Sequence, residues 1–259
     1  MKKNLLYLGF ILTSVIATSC STSDDIKTEA NNEDNGKGSV LSLNIGTAQT
    51  RVTESTDATN YLKTSWESTD KLDVFHNFTK TGSSAFGKLE FVTSEAKIDA
   101  SGVATFNYLG GSGLYSYTNG TSNLLAILKT ANITSSISGS NALITMSNFA
   151  GQDGTLAGMK DYDVMYGSTG VTNGVAGNMT MNHLTSVVIF KLSGLPANTT
   201  FTKVEFACAS TTKSILPASG TVTVAVNGTV SSQTYTAATK WTTGTIVSDA
   251  SGNAGSGDI

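Results

Sequence analysis

Few side chains in this sequence could carry chemistry. Two cysteines (Cys20, Cys208), two histidines (His76, His183) and a single arginine (Arg51) stand among 259 residues. A hydrolytic triad needs a histidine as base, and neither histidine lies near a Gly-x-Ser-x-Gly elbow. There is no Cys-x-x-Cys or His-Glu-x-x-His to ligate a metal, and no Gly-x-x-x-x-Gly-Lys-Ser/Thr to cradle phosphate. Asp161-Tyr162-Asp163 places two carboxylates on one side of an extended chain. Without a calcium-loop pattern they read as structural hydrogen-bond acceptors. The sequence therefore leads us to expect no catalytic residue, no cofactor and no metal. His76, between Phe75 and Phe78, reads as a packed strand histidine, and His183 as a residue packed at a junction. Cys208 shares strand parity with Val204 and Phe206, as a buried core thiol would. Tyr61, Trp66, Tyr115, Tyr117 and Trp241 could build a carbohydrate platform, but Trp66, just ahead of an apolar strand, reads as a core plug.

The N-terminus carries the clearest instruction. Lys2 and Lys3 precede a mostly apolar run from Leu5 to Ile16, followed by Ala17-Thr18-Ser19-Cys20. A basic start, a short apolar stretch and small residues are the three parts of a secretory signal. The run is too short for a membrane span of about 20 residues. Small residues immediately before a cysteine resemble a bacterial lipobox, although Ala17 stands where Leu is usual. Residues 1–19 thus read as a lipoprotein signal peptide and Cys20 as the lipidated residue, its acyl chains holding the protein on a membrane. Residues 20–39, polar and Pro-free, read as a flexible tether.

The elements behind these residues are strands. The chain holds 39 Thr and 32 Ser but only 14% charged residues, a composition suited to an all-β surface protein. Its net charge of −3 gives no electrostatic footprint for nucleic acid. Leu41, Leu43 and Ile45 alternate with Ser42 and Asn44, and Leu72, Val74, Leu89, Phe91, Ala104, Phe106 and Tyr108 follow the same period of two. Leu124 to Leu128 is a continuous apolar run, as in a strand buried on both faces. Turn clusters such as Ser101-Gly102 and Gly110-Gly111-Ser112-Gly113 separate these segments. Gly154 to Tyr162 has room for one helical turn. A second block opens with Val187-Val188-Ile189-Phe190 and includes Val222, Val224 and Val226, with Asn227-Gly228 as a hairpin signal. The expectation is two β-sandwich domains, 40–182 and 183–259. The second is short and ends on a Gly/Ser-rich loop, so it is expected to be incomplete.

Five segments in order resemble the fimbrillin family, the subunits of Bacteroides-type (type V) pili. They are the lipobox with its tether; Gln49-Thr50-Arg51-Val52-Thr53; Ser65-Trp66-Glu67-Ser68-Thr69-Asp70-Lys71-Leu72-Asp73-Val74-Phe75; Gly154-Thr155-Leu156 with Lys160 to Gly167; and Met181 to Leu192. Asp24-Asp25, just after the cysteine, resembles the surface-export signal of Bacteroides-group lipoproteins. The resemblance implies two transthyretin-like β-sandwich domains and a structural role in adhesion without catalysis. It implies display on the cell outer membrane through the lipid, then cleavage by an arginine-specific protease between Arg51 and Val52. The leaving strand would carry Leu41, Leu43 and Ile45, and a strand from a neighbouring pilin subunit would fill its groove. The family's donor strand is expected near the C-terminus, where this sequence has only a Gly/Ser-rich tail. An alternative stays open: a non-polymerising surface lipoprotein that binds glycan or host protein, or an anchor or tip subunit of the pilus.

Overall fold

The computed structural model describes residues 42–46, 52–56, 62–77, 79–80, 83–84, 86–94, 97–109, 121–152, 156–172, 175–185, 192–203, 205–207, 217–238, 240–242 and 246–253. All belong to one compact unit, Gly36–Ile259. Its strands are β1 (Ser42–Ile45), β2 (Val52–Thr56), β3 (Leu62–Thr64), β4 (Lys71–His76), β5 (Thr79–Lys80), β6 (Ser83–Ser84), β7 (Gly87–Val92), β8 (Ala104–Tyr108), β9 (Thr121–Lys129), β10 (Ile133–Ser138) and β11 (Asn141–Met146). After the one-turn helix α1 (Leu156–Met159) come β12 (Met165–Thr172), β13 (Val175–Ala176), β14 (Asn182–His183), β15 (Thr200–Phe201) and β16 (Glu205–Ala207). The last are β17 (Pro217–Ala225), β18 (Val230–Ala237), β19 (Lys240–Thr242) and β20 (Ile246–Val247). The protein is all-β.

Two sheets organise the unit. The larger has the order β1-β8-β7-β4-β9-β12-β13, with β14 also on β12. The smaller is β10-β11-β17-β18. Strands β4 and β9 lie in the middle of the large sheet and are buried on both faces, as the run Leu124–Leu128 requires. One face presents Phe75, Leu125 and Ile127 to Ile133, Ile144, Val222 and Val224 of the small sheet. The opposite face presents Leu43, Leu72, Val74, Phe91, Phe106 and Leu124 to one another in a second cluster. That second cluster is enclosed because the large sheet curls until its ends meet, at Ile45 and Met179.

Strands from either side of residue 182 share a sheet. Residues Asn141–Met146 pair with Gly220–Ala225, so one sheet draws strands from both expected domains. Alternating Val222 and Val224 fix which face of β17 is buried, but the period of two does not name the partner strand. The Asn227-Gly228 hairpin forms as expected between β17 and β18. The run 187–190, Val204 and Cys208 lie outside the described residues, as do Tyr61, Tyr115 and Tyr117.

Two turns share both sequence and bonding. In Asp99-Ala100-Ser101-Gly102, the carboxylate accepts from the Ser101 and Val103 amides at 2.8 and 2.9 Å. In Asp249-Ala250-Ser251-Gly252, it accepts from the Ser251 and Asn253 amides at 2.8 and 2.9 Å. Each ends on a glycine at positive φ, 83° at Gly102 and 76° at Gly252, where other residues are strained. The Ser101 hydroxyl, then the Val103 amide, holds the Asp99 carboxyl below its ordinary pKa.

Candidate strand-exchange seam

The short strand β1 closes the large sheet. Leu43 and Ile45 point inward and are fully buried, while Ser42 and Asn44 point out. On one side β1 runs antiparallel to β8 over four residue pairs, Ser42↔Asn107 to Ile45↔Ala104. Outside that ladder, the Ser42 hydroxyl donates to Asn107 Oδ1 at 2.8 Å and the Thr105 hydroxyl to Asn44 Oδ1 at 3.0 Å. On the other side, among the described residues, Met179 holds it: Met179 N–H donates to Asn44 O (3.1 Å), and Gly46 N–H donates to Met179 O (3.3 Å). Burying Leu43 and Ile45 contributes about 1.5–3 kcal/mol each. Removal of β1 would therefore expose both an apolar slot and the unpaired edge of β8 facing the backbone of Met179.

Trp66 caps the end of this slot. Its indole N–H donates to Gly46 O at 3.4 Å, just past β1, and its ring meets Phe106 edge-on at 5.1 Å. A turn presents it: the Asp70 carboxylate accepts from the Glu67 amide (2.9 Å), and the Asp70 amide donates to Glu67 O (3.0 Å). Asp70 is itself buried. The spacing Trp66-x-x-x-Asp70 thus has a local cause, and Trp66 is the core plug read from the sequence.

The wall opposite β8 is the segment that returns after β12. It pairs with β12 at Val171↔Ala176 and Thr172↔Val175, bows through Met179, and pairs again at Tyr166↔Asn182 and Met165↔His183. Gly167 lets it come close, since a Cβ there would lie 2.5 Å from the Thr180 carbonyl oxygen. At its far end His183 Nδ1 lies 2.5 Å from Asp163 Oδ1. A carboxylate only accepts, so Nδ1 carries the proton and donates it. The Leu184 amide donates to Val164 O at 2.8 Å, and the Val164 amide to the Thr185 hydroxyl at 3.3 Å. His183 Nε2 and Asp163 Oδ2 are buried with no hydrogen bond among the described residues. The sequence read Asp161 with Asp163 as a pair. The structure instead pairs Asp163 with His183, and Asp161 offers its carbonyl oxygen to the Thr130 hydroxyl.

A polar clip joins the two sheets. Lys88 Nζ donates to Asp73 Oδ2 and to Ser135 O, both at 2.7 Å, and the Ser135 hydroxyl donates to Asp73 Oδ2 at 2.6 Å. Asp73 is almost fully buried, and its second oxygen has no partner among the described residues. Sequence reading passed over this clip; the signal was an aspartate inside an apolar strand. His76, also buried, has its pKa pushed by burial down to about 4, so the ring is neutral near pH 7.

Cys20, Leu41 and Arg51 lie outside the described residues. Val52 opens β2, whose backbone pairs with β3. A cut between residues 51 and 52 would separate β1 covalently from every later strand. Among the described residues no three His, Cys, Asp or Glu side chains gather as a metal site. No protein-family model, curated protein or solved structure matched the chain.

Proposed function

We propose that this protein is a structural subunit of a cell-surface pilus with a role in adhesion. It is exported as a lipoprotein acylated on Cys20, held on the outer membrane, and matured by an arginine-specific protease that cuts between Arg51 and Val52. The freed β1 leaves, and a strand of a neighbouring subunit takes its place. The observation that carries this reading is the seam: two inward apolar side chains, Leu43 and Ile45, complete a closed sheet whose far side, among the described residues, is held through the backbone of Met179. Arg51 follows β1 and is the sole arginine, so such a protease has one place to act.

The test is the mature N-terminus and lipid state of the protein taken from its native cell surface, read by mass spectrometry. A chain starting at Val52 without lipid is expected. A lipidated Cys20 start with Arg51 intact throughout would overturn the polymerising role and favour an anchor or a monomeric binding lipoprotein.

A further inference from the structure

We infer that the hydrogen-bonded pair Asp163–His183 is a latch that positions the Met179 wall and so sets how fast β1 can leave the seam. This inference rests on the strand-exchange reading above.

The two walls of the seam are unequal. Among the described residues, the β8 wall meets β1 along four residue pairs, whereas the opposite wall holds it through two hydrogen bonds, both made by the backbone of Met179. Opening therefore begins at Met179, where the fewest bonds break together. Met179 sits at the middle of a bow. Around it, backbone pairing with β12 ends at Gly177, whose amide donates to Gly170 O, with the Thr169 hydroxyl reaching Asn178 O, and resumes at Asn182. The near foot is a tight hairpin, β12 to β13, which the short connection keeps in register. The far foot is β14, a strand of only two residues. Two residue pairs are a weak hold by themselves; the Leu184 amide to Val164 O and the Val164 amide to the Thr185 hydroxyl extend it, and the bond from His183 to Asp163 is the shortest and only charge-assisted tie among the described residues there. Asp163 is almost fully buried and His183 largely so, which shields the bond from water.

Releasing that tie leaves β14 on its two residue pairs and two neutral hydrogen bonds, so it parts from β12 more readily. Met179, four residues before His183, then loses its fixed height against Asn44 and Gly46. The pair thus acts through Met179 and touches neither β1 nor the bond that is cut. It is a positioning pair.

The test uses the full chain cut at Arg51 by an arginine-specific protease. A synthetic peptide of residues 40–50 with a fluorescent label competes for the seam, and its rate of entry reports loss of β1. In His183→Asn and Asp163→Ala, exchange is expected to rise about tenfold or more. Asp163→Asn keeps an acceptor for the imidazole N–H, so it is expected to stay within about threefold of the parent chain. Hydrogen exchange on the uncut chain supplies a second readout. The Met179 and Gly46 amides should lose protection in His183→Asn while those of β4 and β9 keep theirs; a merely structural loss would lower all of them. Unchanged peptide entry in folded His183→Asn and Asp163→Ala would overturn the latch alone. Loss of protection spread evenly over β4 and β9 would also overturn it. If the cut parent chain and every variant keep β1 and admit no peptide, the strand-exchange reading fails, and the latch with it.

Discussion

Ile45 is bridged in parallel to Met179, and that one pairing turns an open eight-stranded sheet into a closed one. A strand that completes a sheet between two walls is bonded along both edges while it stays. When it leaves, both walls become templates for another strand. The four residues of β1 are enough for this because Leu43 and Ile45 fill the enclosed core and Trp66 closes its end.

Trp66 should be among the costliest residues to truncate. Its side chain is buried against Phe106, and Trp66→Ala leaves a cavity beside the end of β1. A loss of about 3–5 kcal/mol is expected in urea unfolding of the uncut chain. Trp66→Phe, which keeps ring packing but loses the bond to Gly46, should lose clearly less.

The clip between the sheets should show strong coupling. Lys88→Met leaves the buried Asp73 carboxylate with the Ser135 hydroxyl as its donor among the described residues, so about 2–3 kcal/mol should be lost. Asp73→Leu combined with Lys88→Met removes both charges and should lie nearer the parent chain than Lys88→Met does. A double-mutant cycle by chemical denaturation checks this. Purely additive losses would mean that the two side chains act separately.

His76 should make stability depend on pH in a defined window. Its folded pKa is about 4, below the ordinary 6.5. Between those values the unfolded chain binds more protons than the folded one, so stability rises with pH through the window. The stabilisation is fully present above about pH 6.5 and is lost as pH falls toward 4, by at most about 3 kcal/mol. Denaturation midpoints measured from pH 4 to 7 should rise in the parent chain and flatten in His76→Asn.

Gly167 should resist any side chain. An alanine Cβ would meet the backbone oxygen of Thr180, which cannot swing away as a flexible side chain would. Gly167→Ala is expected to lose about 1–3 kcal/mol and to speed hydrogen exchange at the Met179 amide.

Alternation made much of the fold legible. The parity of Leu43 with Ile45, of Leu72 with Val74, and of Ala104 with Phe106 named the inward faces correctly, and Trp66 was readable as a plug because it stands just ahead of an apolar strand. The pairing of β11 with β17 was not readable, because a period of two marks a face and leaves the neighbour unspecified. The closure at Met179 escaped for a related reason: its segment bows and shows no clean alternation. Asp163 and His183 stand twenty positions apart in two segments noted separately, and only the return of the chain along β12 joins them. The repeated Asp-Ala-Ser-Gly turns were visible in the sequence and were missed, since four residues are too few to signal a repeat beside many other Gly/Ser clusters.

The most direct test of the central claim is to lock β1 in place. Ser42 and Asn107 face each other across the outer side of β1 and β8, so Ser42→Cys with Asn107→Cys offers a disulfide across the seam. The background should carry Cys20→Ser and Cys208→Ser, and the chain is cut at Arg51 before labelled peptide 40–50 is added. Under oxidising conditions peptide entry should stop, and a reductant should restore it. Equal entry with the disulfide intact would contradict the account, because a strand cannot be replaced while it is still bonded in its slot.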